Sequence, residues 1–198
     1  MAAHPKKARR QGAHLVLIDE SGLLMAPLVR RSWAPRGHPP ELHQSGAHRQ
    51  KVSVAAALWL SPRRDQLGLY FRTLPNGYFD NWSVAAFLEA MMGELAGRFV
   101  VVWDGGTMHK GDPINELVRE SEGRLDLERL PAHAAVLMPM EQVWAWLKYD
   151  RLCNFPPRDA QHLNEAILRE LDPIRDDQDR LWSFFRASRL PLPRALLS

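Results

Sequence analysis

Residues 15–21 read LVLIDES, an apolar run that leads directly into the carboxylates of Asp19 and Glu20. An apolar run of this length is typical of a strand whose sheet is covered on both faces. It predicts a central strand that ends at these two acids. Because a carboxylate is costly to bury without a partner, its place at the end of such a strand indicates that another group accepts its charge.

A second strand of the same design is predicted at residues 98–104, RFVVVWD, where the apolar run ends on Asp104 and two glycines follow. An amphipathic helix is expected before it, since apolar side chains recur at helical spacing from Val84 to Leu95. Strands joined by a helix commonly lie side by side and parallel, so that their carboxyl ends meet at one edge of the sheet. Asp19 and Asp104 are therefore expected to be neighbours.

The remaining pattern predicts an α/β domain with a mixed sheet of about five strands flanked by helices. Further strands are expected at residues 27–35, 51–61, 67–74 and 124–130, and further helices at 112–121, 140–147, 158–171 and 177–188. The residues before His14 are basic and lack periodicity. They predict a flexible arm over residues 1–13, ahead of one domain over 14–190 and a tail over 191–198.

A third acid, Glu141, stands in the first turn of the helix expected at residues 140–147. Clustered carboxylates repel one another, and a divalent cation removes that cost. Hard oxygen ligands suit Mg²⁺ or Mn²⁺, and two such ions about 3.5–4 Å apart support in-line phosphoryl displacement. Taken singly, an Asp at a strand end also fits a turn, and a Glu at a helix start is favoured by the helix dipole. It is the joint placement of the three acids that predicts a metal site.

Basic residues are unevenly distributed, although the net charge is only +3. They cluster at the N-terminus and again around Arg30, Arg31 and Arg36, a pattern that favours a polyanionic partner. These three arginines and Lys148 are candidates for contacts with phosphate groups, and ordinary surface solvation explains each of them equally well. The tryptophans are expected to pack in the core rather than to stack on bases. This expectation applies to Trp33, Trp59, Trp103 and Trp144.

Cys153 is the only cysteine, which excludes an internal disulfide and a zinc site built from several thiolates. No apolar run approaches the roughly 20 residues that span a bilayer, and no export signal opens the chain. A cytoplasmic protein without a membrane partner is expected.

Four motifs, in this order, resemble those of the catalytic domain of DDE transposases, specifically the mariner-related bacterial insertion-sequence family. They are LVLIDESGLLM, RSWAPRGHPPE, VVVWDGGTMHK and LPAHAAVLMPMEQVWAWLKYD. The resemblance covers about residues 14–190, and the 36 residues between Asp104 and Glu141 are close to the family's spacing. It implies a ribonuclease-H-like fold and cleavage and strand transfer of DNA at the ends of a mobile element.

The resemblance also implies roles for individual residues. Asp19, Asp104 and Glu141 correspond to the three catalytic acids, which hold two Mg²⁺ or Mn²⁺ ions. His109 and Lys110 match the pair that follows the second acid and are implied to lie near the DNA. Related enzymes act as multimers on paired ends, so a homo-oligomer on DNA is expected by analogy.

The chain departs from the family pattern around the acids. Gly105 replaces an Asn, and the residues before Glu141 include Leu137-Met138-Pro139 in place of Leu-Asn-Pro. No helix-turn-helix region is expected before His14, which predicts the C-terminal part of a split transposase that works with a helix-turn-helix partner chain. Two alternatives remain: a ribonuclease-H-like nuclease for RNA–DNA hybrids or junctions, and a catalytically inactive DNA-binding or assembly remnant.

Overall fold

The computed structural model of the protein describes residues 3–26, 28–38, 41–42, 50–103, 111–130 and 138–188. Its centre is a mixed sheet of five strands, β1 (His14–Leu24), β2 (Lys51–Leu60), β3 (Leu67–Pro75), β4 (Phe99–Trp103) and β5 (Leu125–Arg129). The spatial order is β3-β2-β1-β4-β5. β1, β2 and β3 pair antiparallel, whereas β4 and β5 continue the sheet in parallel. The predicted central position of the first strand and the mixed sheet are confirmed.

Six α-helices lie within the described residues: α1 (Ala3–Arg10), α2 (Asn81–Glu94), α3 (Asp112–Glu120), α4 (Met140–Ala145), α5 (Ala160–Leu171) and α6 (Gln178–Ala187). α4 runs on into a π-helical segment, Trp146–Arg151. The predicted helix before β4 is present as α2, and the Asp80 carboxylate caps its start by accepting a hydrogen bond from the Ser83 backbone N–H at 2.8 Å. No helix in the described part of the chain has the length and apolar character needed to cross a bilayer.

The two faces of the sheet are covered by different helices. α2 and α3 pack on one face with Val16 and Ile18, and α4, α5 and α6 pack on the other with Leu15 and Leu17. Successive side chains of a strand point to opposite faces. Asp19 therefore continues the row of Leu15 and Leu17 and points toward α4.

The prediction that the first strand ends at its acids is wrong. β1 continues to Leu24, and Asp19 and Glu20 pair with Ala56 and Ala55 of β2. On the other side, the registered pairing of β1 with β4 among the described residues runs from His14 and Phe99 to Leu17 and Val102. Asp19 consequently lies inside β1, where it pairs with β2 on one side. On the other side it follows the last registered pair with β4 by two residues.

A strand predicted at residues 27–35 is also wrong, since residues 28–35 form no regular secondary structure. The side chains of Val29 and Trp33 are 73% and 102% exposed, so no layer covers them, and the prediction of Trp33 as a core residue is wrong. The backbone of this segment bonds instead to Asn154, which accepts from the Arg30 N–H at 2.8 Å and donates to the Arg30 carbonyl at 3.0 Å. Trp103 and Trp144 are buried, as predicted.

Where a flexible arm was expected over residues 1–13, the structure has the helix α1 packed against β1 and β4. Ala8 is fully buried, and Lys7 bonds to acids of β5: its Nζ lies 2.5 Å from Glu128 and 3.3 Å from Asp126. These partners stand more than a hundred residues away in sequence, so local periodicity gave no sign of them. The domain bounds at 14–190 and the tail at 191–198 stay predictions.

Candidate active site

Asp19 lies in β1, two residues after the last registered pair of that strand with β4. Its backbone pairs with Ala56 of β2, and its side chain is half-buried. The Nε1–H of Trp144, on α4, donates a hydrogen bond to the Asp19 Oδ2 at 2.8 Å. A carboxylate that the sequence places in a strand is thus bonded to a side chain of the helix packed against it.

The helix α4 carries another of the three predicted acids, Glu141. Glu141 lies in its first turn and is exposed, whereas Met140, Val143 and Trp144 are buried and anchor the helix on the sheet. Residues three or four apart share one face of a helix, so Glu141 and Trp144 are neighbours along α4. The same buried stripe that the sequence identified therefore sets the position of Glu141 relative to Asp19.

Lys148 interacts electrostatically with both acids, Asp19 and Glu141. It is half-buried in the π-helical segment that continues α4, and burial lowers its pKa by disfavouring the charged ammonium. The negative charges of Glu141 and Asp19 oppose this shift and raise the pKa. The Lys148 ammonium therefore interacts electrostatically with both carboxylates.

An apolar cavity of about 220 Å³ adjoins Lys148, which is part of its lining. Leu23, Leu152 and Leu163 contribute the buried apolar wall, and Leu24 and Tyr149 lie at its exposed rim. An aliphatic stem against an apolar wall, with the charge at its tip, is the usual arrangement for a lysine at such a position. The cavity accounts physically for the desolvation of Lys148.

Three of the predicted site residues, Asp104, His109 and Lys110, lie outside the described residues. Within the described ranges, no three His, Cys, Asp or Glu side chains form a group able to hold a metal ion. The structure thus brings together two of the three predicted acids, Asp19 and Glu141.

The predicted basic residues differ in their surroundings. Arg30 lies beside the end of the π-helical segment, where its Nη1 donates to the Tyr149 carbonyl at 2.7 Å and to the Asp150 carboxylate at 3.0 Å. Arg31 and Arg36 are exposed. Arg30 is therefore partly neutralised by an ion pair, and the other two present their charges to solvent.

The residue that sequence reasoning missed is Trp144. Its helical spacing with Met140, Val143 and Leu147 marked it as a core residue, and burial confirms that assignment. Apolar periodicity carries no information about the direction of an indole N–H. The only available signal was its position three residues after Glu141.

The donor set fits a hard divalent cation. Asp19 and Glu141 both offer carboxylate oxygens, the ligands that Mg²⁺ and Mn²⁺ prefer. Lys148 supplies a compensating positive charge to the same pair of acids.

A family model described as DDE superfamily endonuclease matches residues 14–164. The matched span contains all three predicted acids and Lys148. No curated protein matches the chain significantly in sequence.

Solved structures of a mariner transposase share the fold. The Mos1 mariner paired end complex with Mn is 13% identical with a TM-score of 0.60, over 92% of this chain and 54% of that one. The Mos1 strand transfer complex is 11% identical with a TM-score of 0.61, over 94% and 53%. The Mos1 paired end complex with Mg is 14% identical with a TM-score of 0.55, over 94% and 56%. The predicted ribonuclease-H-like fold is confirmed, and the chain spans about half the length of these solved proteins.

Proposed function

The chain belongs to the DDE superfamily endonucleases, and on this premise we propose that it is a transposase catalytic domain that cleaves and joins DNA phosphodiester bonds at mobile-element ends. The observation that carries the proposal is the hydrogen bond from Trp144 to Asp19, which joins the strand that bears one predicted acid to the helix that bears another, Glu141. The two acids lie far apart in sequence and are brought together by the packing of α4 on β1.

The proposed ligand set for two Mg²⁺ or Mn²⁺ ions is Asp19, Asp104 and Glu141. The parallel register supports the inclusion of Asp104: Leu17 lies opposite Val102, so Asp19 and Asp104 each follow this pair by two positions. The similar Mos1 paired end complexes with Mn and with Mg support the same choice of metals. When bound, such ions activate the attacking oxygen and stabilise charge on the scissile phosphate.

The chain's own residues would hold and orient the DNA. Lys148 places an ammonium beside the acids, where a phosphate oxygen of the substrate becomes its partner. Arg30, Arg31 and Arg36, with His109 and Lys110, are proposed to contact the DNA backbone, which fixes its position without reading sequence. Water is the nucleophile for cleavage, and a DNA 3′-hydroxyl is the nucleophile for joining.

The proposed partners follow from the same family. They are DNA ends and target DNA, further copies of this chain on paired ends, and a helix-turn-helix chain that recognises the element ends. The reaction is assigned to the cytoplasm, in keeping with a single cysteine and a reducing environment.

A cleavage assay tests the proposal. The purified chain is incubated with plain duplex DNA, an RNA–DNA hybrid and a four-way junction, each end-labelled, with Mn²⁺, with Mg²⁺ or with a chelator. We expect metal-dependent cleavage of duplex DNA that leaves a 3′-hydroxyl, and its loss in Asp19→Asn, Asp104→Asn and Glu141→Gln.

The other outcomes are equally specific. Preferential cutting of the hybrid or the junction would replace transposition by a ribonuclease-H-like nuclease activity. Absence of cleavage, together with absence of Mn²⁺ binding in calorimetry, would identify an inactive remnant.

A further inference from the structure

We infer that Trp144 is a positioning residue for Asp19, whose carboxylate it orients for metal binding; this rests on the proposed function. The indole N–H is a donor only, and its acceptor is the Asp19 Oδ2 at 2.8 Å. Hydrogen bonds to an ionised carboxylate are stronger than those between neutral groups. The bond therefore fixes the orientation of the Asp19 carboxylate relative to α4.

The donor is itself rigid. Trp144 is only 4% exposed, and Met140, Val143 and Leu147, which surround it along the helix, are fully buried. Its ring cannot turn without disturbing the core beneath α4. A donor fixed in this way confers its orientation on the acceptor, because the backbone of Asp19 is already fixed by pairing with Ala56.

The same bond connects the two elements that carry the acids. Trp144 stands on α4 three residues after Glu141, so a bond from Trp144 to Asp19 aligns the helix that carries one acid with the strand that carries the other. Loss of the bond would allow the Asp19 carboxylate to rotate and would loosen its relation to Glu141. Removing groups that orient metal ligands typically costs about 10–100-fold in metal affinity.

The variant Trp144→Phe keeps an aromatic ring in the core and removes the donor. The matched control is Trp182→Phe, the same change on α6, where the indole stacks edge-on against Phe185 with ring centroids 5.8 Å apart. Mn²⁺ binding is measured by calorimetry and the melting temperature is measured without metal. We expect Trp144→Phe to bind Mn²⁺ about 10–100-fold more weakly than wild type, while Trp182→Phe retains wild-type affinity.

Nuclear magnetic resonance tests the contact without metal and without altering Trp144. The indole N–H resonance of Trp144, assigned in wild type through nuclear Overhauser contacts with its neighbours on α4, should shift in Asp19→Ala, while the resonance of Trp182 stays in place. In wild type, Mg²⁺ should shift the Trp144 resonance as well. A Trp144 resonance indifferent to Asp19→Ala would overturn the inference even if Trp144→Phe fails to fold.

The results separate this inference from the function on which it rests. If wild type and Trp144→Phe bind Mn²⁺ equally well, only the positioning role is overturned and the proposed function stands. If wild type binds no Mn²⁺, the proposed function fails, and the role of Trp144 in metal binding fails with it.

Discussion

The His14 imidazole stacks on the Phe99 ring with centroids 5.2 Å apart, across the parallel pair that begins the contact of β1 with β4. The His14 Nε2 lies 3.1 Å from the Ala96 carbonyl, and no described group bonds to its buried Nδ1. Burial lowers the pKa of this side chain below its ordinary value of 6.5. The ring is thus a neutral member of the core at the foot of the strand that carries Asp19.

Acid should therefore weaken the fold through His14. A group whose pKa is depressed by folding contributes stability that is present above its ordinary value of 6.5 and is lost as the pH falls through the lowered value. We expect His14→Gln to be less stable than wild type near neutral pH, and the difference in free energy of unfolding to shrink below about pH 6.5. Urea unfolding over a pH series measures this. His162→Gln is the control, and an unchanged difference across the series would contradict the assignment.

Lys148 should have opposite effects on metal and DNA. In Lys148→Met the ammonium near Asp19 and Glu141 is removed while a stem remains against the cavity wall. We expect tighter Mn²⁺ binding, because a competing cation is gone, and weaker DNA binding with a salt slope shallower by about 0.9, the loss of one phosphate contact. Calorimetry and binding titrations at several salt concentrations measure the two effects. Lys6→Met, on the exposed side of α1, should change neither, and a Lys148→Met variant with wild-type slope would exclude the phosphate contact.

The docking of α1 should depend on Lys7. The hydrogen bond from Lys7 to Glu128 raises the lysine pKa, and bonds from Gln11 and Lys7 lower the pKa of Asp126. Because the Lys7 side chain is 37% exposed, the expected loss of stability in Lys7→Met is at most about 1 kcal/mol. Faster hydrogen exchange of the α1 amides reports the undocking, with Lys6→Met as control. Equal exchange in both variants would show that the Lys7 contacts are not needed to hold the helix.

The pH range of this docking follows from the two shifts. Stabilisation by Lys7 is present below its ordinary value of 10.5 and is lost as the pH rises through the raised value. Stabilisation by Asp126 is present above 3.8 and is lost as the pH falls through the lowered value. Protection of the α1 amides should therefore be greatest between these limits.

Asn154 should control the basic segment that contains Arg30. Its side chain bonds to both backbone groups of Arg30, and its own N–H donates to the Leu28 carbonyl at 2.9 Å. Asn154 has a φ of 57°, which glycine adopts freely. Asn154→Gly therefore removes the side-chain bonds without backbone strain, and we expect faster exchange at residues 28–30 and weaker DNA binding. Asn164 is buried in α5, and Asn164→Gly is therefore unsuitable as a control. The double change Arg31→Ala and Arg36→Ala, at two exposed residues of the basic region, serves as the comparison instead. If Asn154→Gly binds DNA as wild type does, this anchoring is not needed for DNA binding.

The sheet and most helices were predictable because their signals are local. The apolar run before Asp19 and the helical spacing from Val84 to Leu95 both depend on neighbouring residues, and both matched the structure. Segment 28–35 shows the limit of such signals. Val29 and Trp33 favour a strand by residue type, but a strand also needs a pairing partner and a covering layer, which sequence neighbours do not reveal.

The candidate site was likewise predictable only where its signals are local in the sequence. The sequence identified Asp19 and Glu141 as acids at the ends of ordered elements, and the structure brings them together through α4. The sequence did not reveal that β1 continues beyond Asp19, since the length of a strand depends on how far its partner β2 extends. The direction of the Trp144 N–H likewise depends on packing between elements 125 residues apart.

The ladder between β1 and β2 runs from the pair Leu15–Leu60 to the pair Leu24–Lys51, with Asp19 near its middle. A one-residue shift that put Asp19 in the place of Ile18 would turn it to the opposite face of the sheet, where Ile18 packs in the apolar layer that contains Phe87 and Leu88. An uncompensated carboxylate in that layer would be severely disfavoured. The acid proposed for chemistry thus also disfavours this misfolded register of the two strands.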